Sequence, residues 1–503
     1  MKTKTKGIIA AGHPQTAEAA IRAFEEGGNA FDAAVAALFA TFVTETCMSS
    51  VGGGAFANVM TASGKAHIFD FFCQTPRKKR PESEIEFYPV IVDLGNTNEV
   101  FHIGRGASGV PGALAGIYSL YENLCTLPLQ ILAEPVIEIA KNGAYIDNFQ
   151  ALDFQMLKAI LEVDKTAQKI WYKDEKLLEE GTHLYMPNLA DFIENLVREG
   201  QSLFYKGEIA QKIAAEYAQN GGQLTREDFE NYRVNITSPL RFNYKNKTVL
   251  TTSAPSMGGA LIALGMRQLN QSNLASHYSE ATHVKNLYDT YVYVNDLHSN
   301  PEKLERELLE YGLTSTVADT GKRGSTTHFS IADEHGNAIA VTTSNGEGNG
   351  YVVPDTDIMM NNMLGEAALL PNGFHSWKEN TRLTSMMSPT IMLDESGRVE
   401  AVTGSGGAGR IPGVILQVLH YLIDYQMNVH DAVHAPRLHL EHGRFNLEPG
   451  FADDLSHIPI KEEINRWAAP ALYFGGVHTI HRKNNRMEAA GDDRRKGVVK
   501  KNF

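Results

Sequence analysis

A mixed α+β chain is predicted, with helices dominating up to about residue 312 and strands gathering after Gly324. Three observations carry this. Residues 15–43 repeat alanine and other apolar residues at helical spacing on both sides of Gly27-Gly28. Residues 326–343 (TTHFSIADEHGNAIAVTT) read as strand, Gly336-Asn337 turn, strand, the pattern of a β-hairpin. The 503 residues are too many for one simple core, so two or three domains or one large multilayer unit is expected.

Taken in order, 15–43 give two helices. Val51-Gly52-Gly53-Gly54-Ala55-Phe56 requires tight turning or close approach of backbone, and residues 56–71 alternate like strands. The stretch 110–235 is mostly helical. Residues 247–253 read as a strand leading into Pro255-Ser256-Met257-Gly258-Gly259, which opens a helix to about Leu269; helices continue to about 312. The polar stretch 314–325 (TSTVADTGKRGS) is the clearest exposed linker. Beyond the hairpin come strands at 389–394 and 398–403, a helix from about Pro412 to Tyr425, and last strands near 436–440 and 472–480.

Composition narrows the function classes. A net charge of -13 argues against a nucleic-acid partner, which needs a concentrated basic surface; the basic run Arg77-Lys78-Lys79-Arg80 reads as a solvated loop. Cys47, Cys73 and Cys125 are odd in number and lack metal-ligand spacing, so they are expected to be free, buried thiols. The N-terminal MKTKTKGIIAAGHP mimics a signal n-region, but its apolar stretch is about half a signal core. Phe31 to Val43 contains Asp32 and is too short to span a bilayer. No membrane association and a cytoplasmic location are expected, a leader removed beforehand aside.

Three segments carry possible chemistry. At Ser325-Thr326-Thr327-His328 a linker ends and a strand begins. If the Ser325–Thr326 bond is cut, Thr326 gains a free α-amine beside its hydroxyl. That amine, with a pKa near ~8 in a free chain, can take the hydroxyl proton, so one residue supplies nucleophile and base. Gly404 to Arg410 (GSGGAGR) follows a strand, opens a helix and matches the literal G-x-G-x-x-G of dinucleotide binders, with Asp424 twenty residues on. A Rossmann unit, however, needs a second strand ending at that acid, and 411–425 reads as helix. The alternative is an oxyanion hole, in which consecutive glycine-rich N–H groups aim at one oxygen. His434, His439 and His442 are spaced by five and three with Pro436 between, which favours structural or surface histidines over a metal site.

Together these segments resemble the γ-glutamyltranspeptidase family. The resemblance rests on Thr326-Thr327-His328-Phe329-Ser330 with Asp333 and Gly336-Asn337, on Ile358 to Asn362, Ser385 to Thr390, Thr403 to Arg410, Asn428 to Arg437, and Asp492-Asp493-Arg494-Arg495. Upstream, Gly52-Gly53-Gly54, Val110-Pro111-Gly112, Tyr205-Lys206-Gly207 and Pro255 to Gly259 also match, in the family's order. It implies a four-layer αββα sandwich of the N-terminal-nucleophile hydrolase type. It also implies a precursor that cuts itself before Thr326 into a large region, 1–325, and a small one, 326–503, which stay together as a heterodimer in one composite fold. Transfer or hydrolysis of a γ-glutamyl or related amide through an acyl-enzyme on Thr326 would follow, without metal or cofactor; a higher oligomer is compatible with this. Ser344 matches a threonine that supports the nucleophile, and Gly407 and Ala408 match the two glycines whose N–H groups form the oxyanion hole.

The departures fall in the glutamyl pocket. The arginine that clamps the α-carboxylate aligns with Phe72, the aspartate that holds the α-amine with Glu366, and a nearby glutamine with Met363. Of two serines near the carboxylate, one is kept as Ser385 and the other is Met386. The loop after Ser344 (NGEGNGY) is about two residues shorter than usual, offers Asn345 out of register, and brings Glu347. The expectation is an autoprocessed amidohydrolase or acyltransferase with altered donor specificity. The alternative from another class is a non-catalytic, unprocessed homologue that binds or scaffolds.

Overall fold

The alternation read along 326–344 is realised as two antiparallel strands, Thr326–Asp333 and Ala338–Ser344, paired from Thr326↔Ser344 to Ala332↔Ala338. The turn is held by the Asp333 carboxylate, which accepts from the His335 N–H at 3.0 Å and the Asn337 N–H at 2.9 Å. The computed structural model describes residues 4–93, 98–313, 325–370, 373–484 and 486–503.

This hairpin is the centre of a seven-stranded sheet. From one edge to the other its strands are Asn235–Thr237, Ala66–Phe71, Gly54–Met60, Ala338–Ser344, Thr326–Asp333, Gly7–Ala11 and Val498–Lys501. A six-stranded sheet runs Leu240–Tyr244, Lys247–Thr251, Thr390–Leu393, Val399–Thr403, Thr479–Lys483, Arg486–Ala490. Both sheets draw strands from each side of the Ser325–Thr326 bond.

Period-two burial places the layers, because successive side chains of a strand face opposite ways. Ala338 and Ala340 join Ile8, Ala10, Leu250, Ile391 and Val402 in a small apolar cluster between the sheets. Their neighbours Ile339 and Val341 instead pack with the helices Pro14–Glu25, Ala30–Thr44 and Ala113–Leu124. Val249, Met392 and Ala401 of the second sheet pack with Gly258–Asn270, Ala281–Ser299 and Ile411–Ile423. The result is the expected αββα sandwich.

Several expectations change. The short apolar segment near the N-terminus, Gly7–Ala11, is a fully buried strand between Thr326–Asp333 and Val498–Lys501. The stretch 472–480 is not one strand: it is a helical turn at Leu472–Phe474, a two-residue bridge at Gly476–Val477, and only then the strand Thr479–Lys483. Cys47 and Cys73 are buried thiols, whereas Cys125 is only partly covered. Of the linker 314–325, residues 314–324 lie outside the described residues, and Ser325 is half-buried. No helix among the described residues is long and apolar enough to cross a membrane.

Candidate active site

Thr326 opens a strand of which every residue is buried. The peptide bond before it is gripped from several directions. The Ser344 hydroxyl, brought opposite Thr326 by strand register, donates to the Ser325 carbonyl oxygen at 2.6 Å and accepts the Gly346 N–H at 3.1 Å. The Ser325 N–H donates to Glu347 Oε1 at 2.9 Å. Arg495 Nη1 donates to the Thr326 carbonyl oxygen at 3.0 Å. Thr327 donates through its hydroxyl to Glu45, which also accepts from Thr16 at 3.0 Å. His328 bridges the Thr342 and Ser330 hydroxyls at 2.9 and 3.0 Å, so it braces the strand.

The glycine-rich segment wraps the start of this strand. A Cβ on Gly406 would lie 2.1 Å from the Thr326 carbonyl oxygen, so only glycine permits the approach. Gly407 has φ 121° and Ala408 φ 56°. A non-glycine residue in the left-handed region costs about 1–2 kcal/mol, and such strain persists where surrounding structure enforces it. Among the described residues no acceptor engages the N–H of Gly407 or Ala408. Asp424 closes the following helix, where it bonds His420 and Tyr244, and no second strand of a nucleotide fold begins there.

Beside the Ser325–Thr326 step is a cavity of about 60 Å³, lined among others by Ser325, Glu347, Ala408, Arg410 and Arg495. Its charges are unusual for a buried place. Burial raises the Glu347 carboxyl to about 8, with Glu99 adding repulsion. Glu366 is pushed well above the usual carboxylate range, first by burial and then by Glu347 and Glu99. Burial and the like charge of Arg410 lower Arg495 to about 10. Arg410 is itself paired with buried Glu441 at 3.2 Å. Neither Arg495 nor Arg410 had been singled out for the site from sequence. Both lie in segments that resemble the family, but nothing in the local pattern of either marks a position beside Thr326.

The residues expected in the glutamyl pocket separate into two groups. Phe72, Met363 and Met386 share one buried apolar cluster, and the Phe72 ring lies 5.7 Å from that of Phe56. Ser385 turns its hydroxyl to the Met387 N–H at 3.0 Å. Asn345 sends its amide to the Met359 carbonyl at 3.4 Å, and its Oδ1 has no hydrogen-bond partner among the described residues. Glu366 Oε1 is likewise buried without one, and a Cβ on Gly346 would lie 2.4 Å from it. Glu366 therefore belongs with Glu347, beside the Thr326 step.

The missing arginine is not replaced by Arg105 or by the arginines of the run Arg77 to Arg80, which are engaged elsewhere. Arg105 is clamped by Glu86 and Glu216, both at 2.8 Å. Arg77 and Arg80 pair with Glu227 and Glu84. Arg382 touches the Phe72 carbonyl, but its guanidinium is also committed to Tyr232, Arg233 and Asp70, the last at 3.3 Å. Among the described residues no group of three or more His, Cys, Asp or Glu is placed to hold a metal ion.

Comparison with known proteins agrees with this geometry. The family described as Gamma-glutamyltranspeptidase matches residues 16–297 and 290–501. A glutathione hydrolase proenzyme of Escherichia coli (strain K12) is 28% identical over 492 residues, covering 89% of this chain and 84% of its own. An acylase proenzyme of Pseudomonas sp. (strain SE83) is 27% identical over 512 residues, covering 95% and 90%. A crystal structure of cephalosporin acylase from Bacillus halodurans shares the fold at a TM-score of 0.83, with 22% identity over 99% of this chain and 96% of that one. The chain therefore belongs to the gamma-glutamyltranspeptidase family, as an acyltransferase or hydrolase of the N-terminal-nucleophile fold.

Proposed function

We propose that the chain is a precursor that cleaves itself between Ser325 and Thr326, and that the freed Thr326 then carries an acyl group from an amide donor to water or an amine. The observation that carries this is the 2.6 Å hydrogen bond from Ser344 to the Ser325 carbonyl. It polarises the one carbonyl that must be attacked, and neutral donors aimed at developing oxyanions are a principal source of acyl-transfer catalysis.

In processing, the Thr326 hydroxyl oxygen bonds to the Ser325 carbonyl carbon and loses its proton. The carbon–nitrogen bond breaks, and the Thr326 nitrogen takes the proton. The resulting ester is opened by water, leaving a Ser325 carboxylate and a free Thr326 amine. Ser344 is then released from the carbonyl and can hold the new amine and hydroxyl. Arg495, bonded to the Thr326 carbonyl, places positive charge near the amine. A like charge disfavours protonation, so the amine stays a base at neutral pH. In turnover the same hydroxyl attacks the donor amide, the N–H groups of Gly407 and Ala408 receive the oxyanion, and the leaving amine takes the proton from the Thr326 amine. Large and small fragments, 1–325 and 326–503, remain associated because each sheet contains strands of both.

Donor recognition differs from ordinary γ-glutamyl chemistry. A free α-carboxylate entering the pocket must exchange its hydration for charged hydrogen bonds. Phe72, Met363 and Met386 offer none and belong to one buried apolar cluster. The expected loss is about 1.5–3 kcal/mol per missing charged bond, or about ten- to a hundredfold in transition-state binding. An acyl group without that carboxylate suits these apolar side chains better. A denaturing gel tests the nucleophile: the wild type should run as two fragments and Thr326→Ala as one chain. A Thr326→Ala protein split at the same bond would exclude the intramolecular mechanism.

A further inference from the structure

A larger cavity adjoins the one beside Ser325–Thr326. The two share Phe149, Arg410 and Leu472, and the larger has a volume of about 410 Å³. That is within the ~300–1,000 Å³ range of small-molecule sites. It does not include Phe72, Met363, Met386 or Ser385, so it is separate from the acyl pocket.

Its wall is built and held rigid. The Trp467 and Tyr473 rings stack at 5.0 Å and 22°. Trp467 Nε1 donates to Asn446 Oδ1 at 3.1 Å, and Asn446 Nδ2 donates to the Tyr473 hydroxyl at 3.0 Å. The Tyr473 hydroxyl donates to Glu441 at 2.8 Å, and Glu441 accepts from Arg410 at 3.2 Å. Despite the cost of burial, Arg410 and His439 hold Glu441 well below the usual carboxylate range, so it stays an acceptor. The Arg410 guanidinium lies over the Tyr473 ring at 4.6 Å. A chain of contacts thus runs from Arg410, which lines both cavities, through Glu441, Tyr473 and Asn446 to the indole. The stacked rings offer a ligand aromatic surface, which binds flat rings by burial and offset stacking.

The charge of the lining is basic. Arg410, Arg444, Arg494 and Lys496 stand against Glu441 and Asp493. Arg410 and Arg494 are engaged with buried carboxylates. Lys496, however, is exposed and has no ion pair among the described residues, and Arg444 pairs only with exposed Glu463 at 3.3 Å. Exposed pairs of that kind are worth about 0–1 kcal/mol, so an incoming anion can displace the carboxylate.

We propose that this cavity binds the amine half of the substrate, the fragment expelled when Thr326 is acylated, and that it selects a flat aromatic amine bearing a carboxylate or similar anion. This rests on the reading of Thr326 as the nucleophile. An incoming amine acceptor must approach the acyl carbon along the path by which the first amine leaves, so the same cavity serves an acceptor of that class.

Two amines that differ by one carboxylate, 5-amino-2-nitrobenzoate and 4-nitroaniline, test it by isothermal titration on the full chain and on Thr326→Ala. The acid should bind about tenfold tighter or more, a difference of about 1.4 kcal/mol, and the advantage should shrink as salt is raised. Trp467→Ala should weaken both about tenfold. Arg444→Glu with Lys496→Glu should remove the preference for the acid while leaving 4-nitroaniline unaffected. Equal binding of the two amines to the wild type, or wild-type affinity in a natively folded Trp467→Ala, would overturn the proposal. If Trp467→Ala does not fold, the exposed charge reversals decide alone. Selective binding without acyl transfer would leave the cavity's chemistry standing and remove the catalytic reading. Acyl transfer with no discrimination between the amines would do the reverse.

Discussion

Around the Ser325–Thr326 bond, polar groups converge: the Ser344 hydroxyl, the Glu347 carboxyl and the Arg495 guanidinium. Around Phe72 the reverse holds, with Phe72, Met363 and Met386 in one apolar cluster and the adjacent Arg382 bound to neighbouring protein groups. On the proposed function, the first region would perform steps common to any amide and the second would meet the particular acyl group. On that reading, the contrast teaches that the bond-breaking apparatus and the recognition site are built separately. Strand register and backbone fix the former, while side chains of a buried apolar cluster fix the latter.

Removing the nucleophile should produce the largest effect. Thr326→Ala should show neither cleavage nor turnover, whereas Thr326→Ser, which keeps the hydroxyl, should still yield two fragments. Cleavage of both or of neither would break the comparison at its polar side. Next, Ser344→Ala should slow processing and turnover about 10–100-fold, the scale of one positioning bond worth ~1.5–3 kcal/mol. Time courses on gels and steady-state rates measure this. At the apolar side, kcat/KM for glutathione should fall about ten- to a hundredfold below that of family members which keep the arginine. Equal efficiency would mean that the carboxylate finds another partner.

A further prediction uses the raised carboxyl of Glu347. Its folded pKa, about 8, exceeds the ordinary value near ~4.3. Between these values the unfolded chain releases a proton that the folded precursor retains, so stability falls as pH rises through this window. In the Thr326→Ala background, Glu347→Gln should stabilise the precursor at pH 8 and leave it little changed near pH 5, as thermal unfolding at the two pH values will show. The smallest effect is expected from Ala408→Gly. Relief of a left-handed alanine should add about 1 kcal/mol of stability or less and change turnover only a few-fold, since the N–H is kept.

Much of this architecture was legible in the sequence where pattern and chemistry coincide. The hairpin 326–344 shows alternation and a Gly-Asn turn, and the Gly27-Gly28 break separates two helices as read. Gly7–Ala11 was not legible because five apolar residues carry no period of their own; its identity comes from pairing with strands more than 300 residues away. Arg495 escaped for the same reason. In Asp492-Asp493-Arg494-Arg495 it looks like a surface charge, yet folding carries it to a carbonyl 169 residues earlier. The aromatic cavity is assembled from Phe149, Arg410, Trp467 and Tyr473, which share no local motif. The departures at Phe72, Met363 and Met386 were visible in the sequence, but that all three fall in one buried apolar cluster could be seen only in three dimensions.

The most direct test of the central claim is intact mass spectrometry of the purified protein, before and during turnover of a slow amide donor. The account predicts a fragment whose N-terminus is Thr326 and whose mass matches residues 326–503, and a transient species heavier by the acyl group on that fragment alone. An unbroken chain that still turns over the donor, or an acyl adduct on the fragment ending at Ser325, would contradict it.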